Sequence, residues 1–231
     1  MLRSSQNLPE RIRELRARMA AAAADAGRNA DSVTLLAVSK GQPAERIRAA
    51  AAEGLADIGE SYLTEALAKM DALDDLPLTW HFIGRLQANK TRPVAERFAW
   101  VHGLDRLKIA ERLAAQRPYH APALNVCIQV NLAGEDTKGG VSAGEAPALA
   151  AAVAALPRLT LRGLMCIPPE ETDPRRQSAW FARLRALRDS LNAGGLGLDT
   201  LSMGMTGDFE AAIREGATIV RIGTALFGPR G

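Results

Sequence analysis

The sequence predicts a closed (β/α)8 barrel, a TIM barrel in the α/β class, and three observations carry that prediction. Eight short apolar segments alternate with stretches of helical periodicity, a rhythm that needs crossover connections and therefore a parallel sheet. The segments are apolar on both faces, as strands between a packed interior and a ring of helices must be. A chain of 231 residues fits one such barrel, so a single domain is expected over residues 1–231. An open doubly wound sheet is the alternative use of the same alternation.

An extra helix comes first, over residues 8–26, where Leu8, Ile12, Leu15 and Met19 mark one face and Gly27 ends it. The first strand is predicted over 33–39. Gln42-Pro43 puts proline in a first helical turn, and that helix runs to Glu53 before Gly54 stops it. A short second strand covers 55–59, a helix begins near Ser61, and LTWHFIG over 78–84 reads as the third strand. A helix over 86–97 precedes the fourth strand at 98–103, and Asp105 is the expected N-cap of the next helix. The fifth strand, 123–131, leads into a Gly- and charge-rich loop. Ser142-x-x-Glu145 is a capping-box pattern for a helix reaching Leu156. The sixth strand covers 159–165, and Asp173-Pro174 brackets the start of a helix to Asn192. Strand seven spans 200–203, a helix 208–215, strand eight 218–222, and a last helical turn 224–227.

The composition narrows the classes of function. Alanine-rich and only 4% aromatic, the chain favours helices over an all-β fold. Its net charge of +3 is spread among interleaved acids and bases, so no nucleic-acid partner is called for. Cys127 and Cys166 lack metal-ligand spacing and read as free thiols in a reducing cytoplasm. No segment is long and apolar enough to predict a membrane span, and the absence of a further apolar helix face predicts a monomer.

Barrels carry function at the C-terminal ends of their strands. Those ends hold Lys40, Glu60 with Ser61, His81 to Gly84 including Ile83, Asp105, Asn131, Met165 with Pro168, Ser202 to Thr206 including Met203, and Arg221 to Thr224. Lys40 ends a strongly apolar strand, where partial desolvation favours the free amine that attacks a carbonyl; a rim lysine with its head in water is the plain structural reading. Strands seven and eight end in SMGMTG and RIGT, where the Gly223 and Thr224 amides open a helical turn beside the Ser202 and Thr224 hydroxyls, an arrangement suited to phosphate. A carbonyl-reactive lysine beside a phosphate cradle matches one ligand, pyridoxal 5′-phosphate (PLP).

The motifs support the same ligand. LLAVSK (35–40), IGESY (58–62), WHFIGRLQANK (80–90), VHGLDR (101–106), IQVNLAGEDTKGG (128–140), LRGLMCIP (161–168), LSMGMTGDFEAAI (201–213) and VRIGTALFG (220–228) run nearly end to end. On these the chain resembles the YggS/PROSC family of PLP homeostasis proteins. The resemblance implies a barrel like the N-terminal domain of alanine racemase, with PLP as an internal aldimine on Lys40. It further implies that Ser202, Gly223 and Thr224 take the phosphate and that Arg221 faces the pyridine nitrogen. Ser61 stands where the family usually has Asn.

PLP catalysis needs an electron sink and a second acid/base group. Arg221 donates hydrogen bonds but supplies no proton to the ring. Racemases resembling this barrel bring a tyrosine from an additional domain, whereas the tyrosines here are Tyr62 and Tyr119. His81, mid-strand, is open to either a structural or a shuttling role. The expectation is a non-catalytic carrier that supplies PLP to apo-enzymes, with Lys138 as a second amine near the mouth. An amino-acid racemase or decarboxylase on the same lysine is the alternative, and a PLP-free Schiff-base aldolase a third.

Overall fold

The computed structural model describes residues 7–135 and 138–229; Asp136 and Thr137 of the loop after strand five lie outside it, as do the chain ends. Eight strands close into one parallel barrel in sequence order: β1 (Thr34–Val38), β2 (Asp57–Glu60), β3 (Thr79–Phe82), β4 (Trp100–Leu104), β5 (Leu124–Gln129), β6 (Leu159–Met165), β7 (Thr200–Ser202) and β8 (Ile219–Ile222). Closure is made by β8 lying beside β1, with Leu36 opposite Arg221 and Ala37 opposite Ile222. A closed ring has no edge strand, which rules out the open doubly wound arrangement.

Helix α1 (Leu8–Asp25) has both halves of a capping box: the Asn7 side chain accepts the Glu10 amide at 3.0 Å, and the Glu10 carboxylate accepts the Asn7 amide at 3.3 Å. Its buried residues Ile12, Leu15, Met19, Ala22 and Ala23 recur at helical spacing. They pack against α2 (Ala44–Ala52) and the two last helices, with the Arg18–Glu210 pair at the edge of that contact. Removing such a Leu or Ile side chain from water contributes about 1.5–3 kcal/mol each. The ring of helices continues with α3 (Leu63–Ala72), α4 (Thr91–Arg97), α5 (Leu107–Gln116), α6 (Ala146–Ala154), α7 (Pro174–Ala193), α8 (Phe209–Arg214) and α9 (Thr224–Phe227).

Three expectations are corrected. Strand two starts at Asp57 rather than Leu55, because the Leu55 amide still bonds back to Ala50 at the end of α2. The helix expected over 86–97 is a 3-10 turn (Ala88–Lys90) followed by α4. Pro93 lacks the N–H for a bond to Asn89, so a regular helix begins only two residues before it. Asp105 does not cap α5. Arg106 holds the cap position, and the Asp105 carboxylate accepts a bond from Arg106 Nε at 2.9 Å. The reciprocal bonds expected of Ser142 and Glu145 form, the Ser142 amide donating to Glu145 at 2.9 Å and the Glu145 amide to Ser142 Oγ at 3.3 Å, but they close the turn before α6, whose cap position is Glu145.

Candidate functional site

Lys40 sits just past the end of β1. It lines a small pocket with Val38, Gln42, Gly223, Thr224 and Gly228. The strand register brings these residues together: Ile222 lies opposite Ala37, and a side chain on Gly223 would come within 3.3 Å of the Val38 carbonyl oxygen. The strand-seven loop reaches the same place, since the Thr206 hydroxyl accepts the Ala225 amide at the start of α9 at 3.4 Å. Gly204 has a packing reason of its own. At φ 93° it lies where a Cβ would be 2.6 Å from the Ala212 side chain, so glycine lets the strand-seven end close onto α8.

The turn carrying Lys40 is held by buried ions. Glu60, fully buried at the end of β2, accepts the Ser39 hydroxyl at 2.6 Å and the Lys69 ammonium at 2.6 Å on the same oxygen. Lys69, buried on α3, also donates to the Ser39 carbonyl at 2.7 Å and to Glu65 at 2.5 Å. Glu65 in turn accepts the Gly41 amide at 2.6 Å. Burial raises the Glu60 carboxyl above its usual range, against the pull of Lys69 and Ser39.

A second polar system runs inside the barrel. The Arg221 guanidinium, buried, donates to the Cys166 carbonyl at 2.8 Å, to the Ser202 carbonyl at 2.6 Å and to Ser202 Oγ at 3.0 Å. Ser202 Oγ lies 2.7 Å from His102 Nδ1, His102 Nε2 lies 2.9 Å from His81 Nδ1, and His81 Nε2 lies 3.0 Å from Asp57. Arginine only donates and an ionised carboxylate only accepts, so the two ends set the direction of the chain. Arg221 donates to Ser202, Ser202 to His102, His102 to His81, and His81 to Asp57. Each imidazole carries one proton, on Nε2. Burial lowers the pKa of both histidines, His102 further through the neighbouring His81 and Arg221, so both stay neutral.

Eight of the nine residues singled out from the sequence fall into three groups, and Met203 stands apart. Lys40, Gly223 and Thr224 share one pocket. Arg221, Ser202 and His81 belong to the interior chain, with the Ser202 hydroxyl turned to Arg221 and His102. Ser61 and Ile83 follow β2 and β3: the Ser61 carbonyl lies against Gly84, and the Ile83 amide donates to the Glu60 carbonyl at 2.8 Å. Met203 is fully buried in the hydrophobic core. The Lys138 ammonium is engaged by Glu135 at 2.8 Å and by the Pro168 carbonyl at 3.0 Å. Cys127 and Cys166 are buried free thiols, each pushed up to about 12 by desolvation. A wider cavity opens at the opposite end of the barrel, lined by Arg16, Met19, Asp31 and Asp57 among others, and it contains no lysine.

The sequence reading missed His102, Asp57 and Lys69. A signal existed for each: a histidine two residues from Trp100 in an apolar strand, an acid at a strand start, and a lysine on the Ala66–Met70 face of α3 four residues after Glu65.

Residues 11–231 match the family described as alanine racemase, N-terminal domain, which defines the class of barrel. A pyridoxal phosphate homeostasis protein of Pseudomonas aeruginosa is 59% identical over 223 residues, covering 96% of each chain, and one from Escherichia coli is 46% identical over 227 residues, covering 97% of each. The chain belongs to the family of pyridoxal phosphate homeostasis proteins. PipY of Synechococcus elongatus, solved with PLP bound, superposes with a TM-score of 0.86 at 37% identity, covering 96% of this chain and all of that one. Alanine racemase of Corynebacterium glutamicum shares the fold at a TM-score of 0.67 and 17% identity, with 97% of this chain and 64% of that one covered. Among the described residues no helix is long and apolar enough to cross a membrane.

Proposed function

We propose that this protein binds PLP covalently through Lys40 and holds it for delivery to apo-enzymes, without turning over a substrate. The observation that carries the reading is the pocket shared by Lys40, Gly223 and Thr224, which sets a primary amine beside a glycine and a hydroxyl at the opening of α9. That donor set fits an aldehyde-bearing phosphate ester. PLP, when bound, supplies the aldehyde that the amine captures and an electron-withdrawing ring. In this reading Lys40 Nζ forms the reversible link, and Gly223, Thr224 and the Ser202 segment receive the phosphate. Arg221 presents a permanent cation from below, while Ser61, Ile83 and Met203 shape the surrounding wall. PipY, a relative with PLP in its structure, supports the cofactor.

Two features support a carrier rather than an enzyme. His81 and His102 are neutral and spend both ring nitrogens within the interior chain. Tyr119 is 93% exposed beneath Arg158, in the loop before β5 at the end of the barrel away from Lys40. The buried thiols, which support residence in a reducing cytosol, are too weakly acidic to exchange protons at neutral pH. The test is borohydride reduction of the PLP-loaded protein followed by peptide mapping, with exchange of amino-acid α-protons into solvent measured on the same preparation. The pyridoxyl group is expected on Lys40, with no exchange above background. A label confined to Lys90 or Lys138 sinks the Lys40 assignment, and exchange that disappears in Lys40→Ala sinks the carrier reading.

A further inference from the structure

The turn that presents Lys40 is tied down on both sides by side chains that do not reach the pocket. Before it, Ser39 is held at its amide by the Gly59 carbonyl at 3.0 Å, at its carbonyl by Lys69 and at its hydroxyl by Glu60. After it, the Gly41 amide is held by Glu65. Gly41 adopts φ 72°, so the chain reverses immediately after Lys40, and the Gln42 amide closes the turn on the Ser39 carbonyl at 2.9 Å. The side-chain ties converge on one atom, since Lys69 Nζ bonds the Ser39 carbonyl, Glu60 and Glu65 together and an ammonium has three donors to give. A buried ion cluster contributes little to stability that well-packed apolar side chains in place of all its members would not. What it does supply here is a fixed position for the residues flanking Lys40. Glu60 Oε2, buried without a hydrogen-bond partner among the described residues, shows the same priority, because the carboxylate is placed to serve Ser39 and Lys69 on its other oxygen.

We propose that Lys69 is a positioning residue: its ammonium, bridging Glu60 and Glu65, locks the backbone on both sides of Lys40 and so aims the Lys40 amine into the pocket with Gly223 and Thr224. The consequence for cofactor capture rests on the PLP reading above; the clamp itself does not. The test therefore has two arms, applied to Lys69→Met and to the conservative Lys69→Arg. Amide hydrogen exchange of residues 39–42 is followed on protein free of PLP, and the rate at which PLP with borohydride labels Lys40 is followed against Lys90 as internal reference. In Lys69→Met, exchange at Gly41 is expected to accelerate and Lys40 labelling to slow on the order of tenfold, with Lys90 unchanged and with Lys69→Arg recovering most of both. Unchanged exchange at Gly41 overturns the clamp. Accelerated exchange with unchanged labelling overturns the aiming role and leaves Lys69 merely structural. If the parent protein takes no label at Lys40, the cofactor reading fails and the exchange arm alone decides the clamp. Should Lys69→Met not fold because Glu60 is stranded, the double variant Glu60→Gln/Lys69→Met removes both buried charges and is read in the same way.

Discussion

Two buried polar systems of this barrel are built to opposite designs. The interior chain from Arg221 to Asp57 separates a cation from an anion by three neutral groups, each donating onward in one direction. The clamp beneath Lys40 gathers two carboxylates, one from the end of β2 and one from α3, on one ammonium. In the first, charge is spread and every imidazole nitrogen is satisfied. In the second, charge is packed, and one carboxylate oxygen has no partner among the described residues. The difference teaches where each is vulnerable: the clamp fails through an uncompensated ion, the chain through a missing link.

The largest expected effect follows from that contrast. Lys69→Met leaves Glu60 buried opposite no cation and should cost about 3–5 kcal/mol in urea unfolding. A loss below that of a neutral buried hydrogen bond would mean that Glu60 is already protonated and that the clamp is not ionic. His102→Leu breaks the chain at its middle and orphans the Ser202 hydroxyl and His81 Nδ1. A cost of about 2 kcal/mol is expected by the same measurement.

The two systems should also differ in the sign of their pH dependence. The folded pKa of His81 and His102 lies below the ordinary 6.5, so the unfolded chain binds protons first. Their contribution is present above that value and is lost as pH falls below it. Glu60 runs the other way. Its folded pKa lies above the ordinary 4.5, so its contribution is present below that value and is lost as pH rises through the raised one. Urea midpoints measured across this range should show the acid-side loss reduced in His102→Leu and the opposite slope removed in Glu60→Gln. Equal profiles in the two variants would erase the distinction between the systems. The smallest effect belongs to Thr224, which touches neither network. Thr224→Val should weaken PLP by about 1 kcal/mol more than it weakens pyridoxal, measured by equilibrium titration, and leave stability unchanged. Equal weakening removes the phosphate assignment.

Much of the fold was legible because alternation of apolar strands with helical periods is a local signal, and each such signal survives whatever its neighbours do. Boundaries slipped where hydrogen bonds, not side chains, decide them, as at Leu55 and around Pro93. Lys40, Gly223 and Thr224, which line one pocket, could be singled out because strand ends are recognisable in a chain whose strand order is known. Asp105 was misjudged because an acid before a helix looks like a cap until Arg106 claims it.

By itself the sequence determined the barrel, the lysine at the end of β1 and the turn that opens α9, since each depends on residues adjacent in the chain. Only the tertiary structure decided which buried polar group answers which. His102 meets Ser202 across 100 residues, Glu60 meets Ser39 across 21, and Arg221 meets Cys166 across 55. A one-dimensional pattern says which face a side chain takes and nothing about its partner. The partner is set by barrel closure and strand register, and in a dry interior an unmet polar group costs too much for the pairing to be left open.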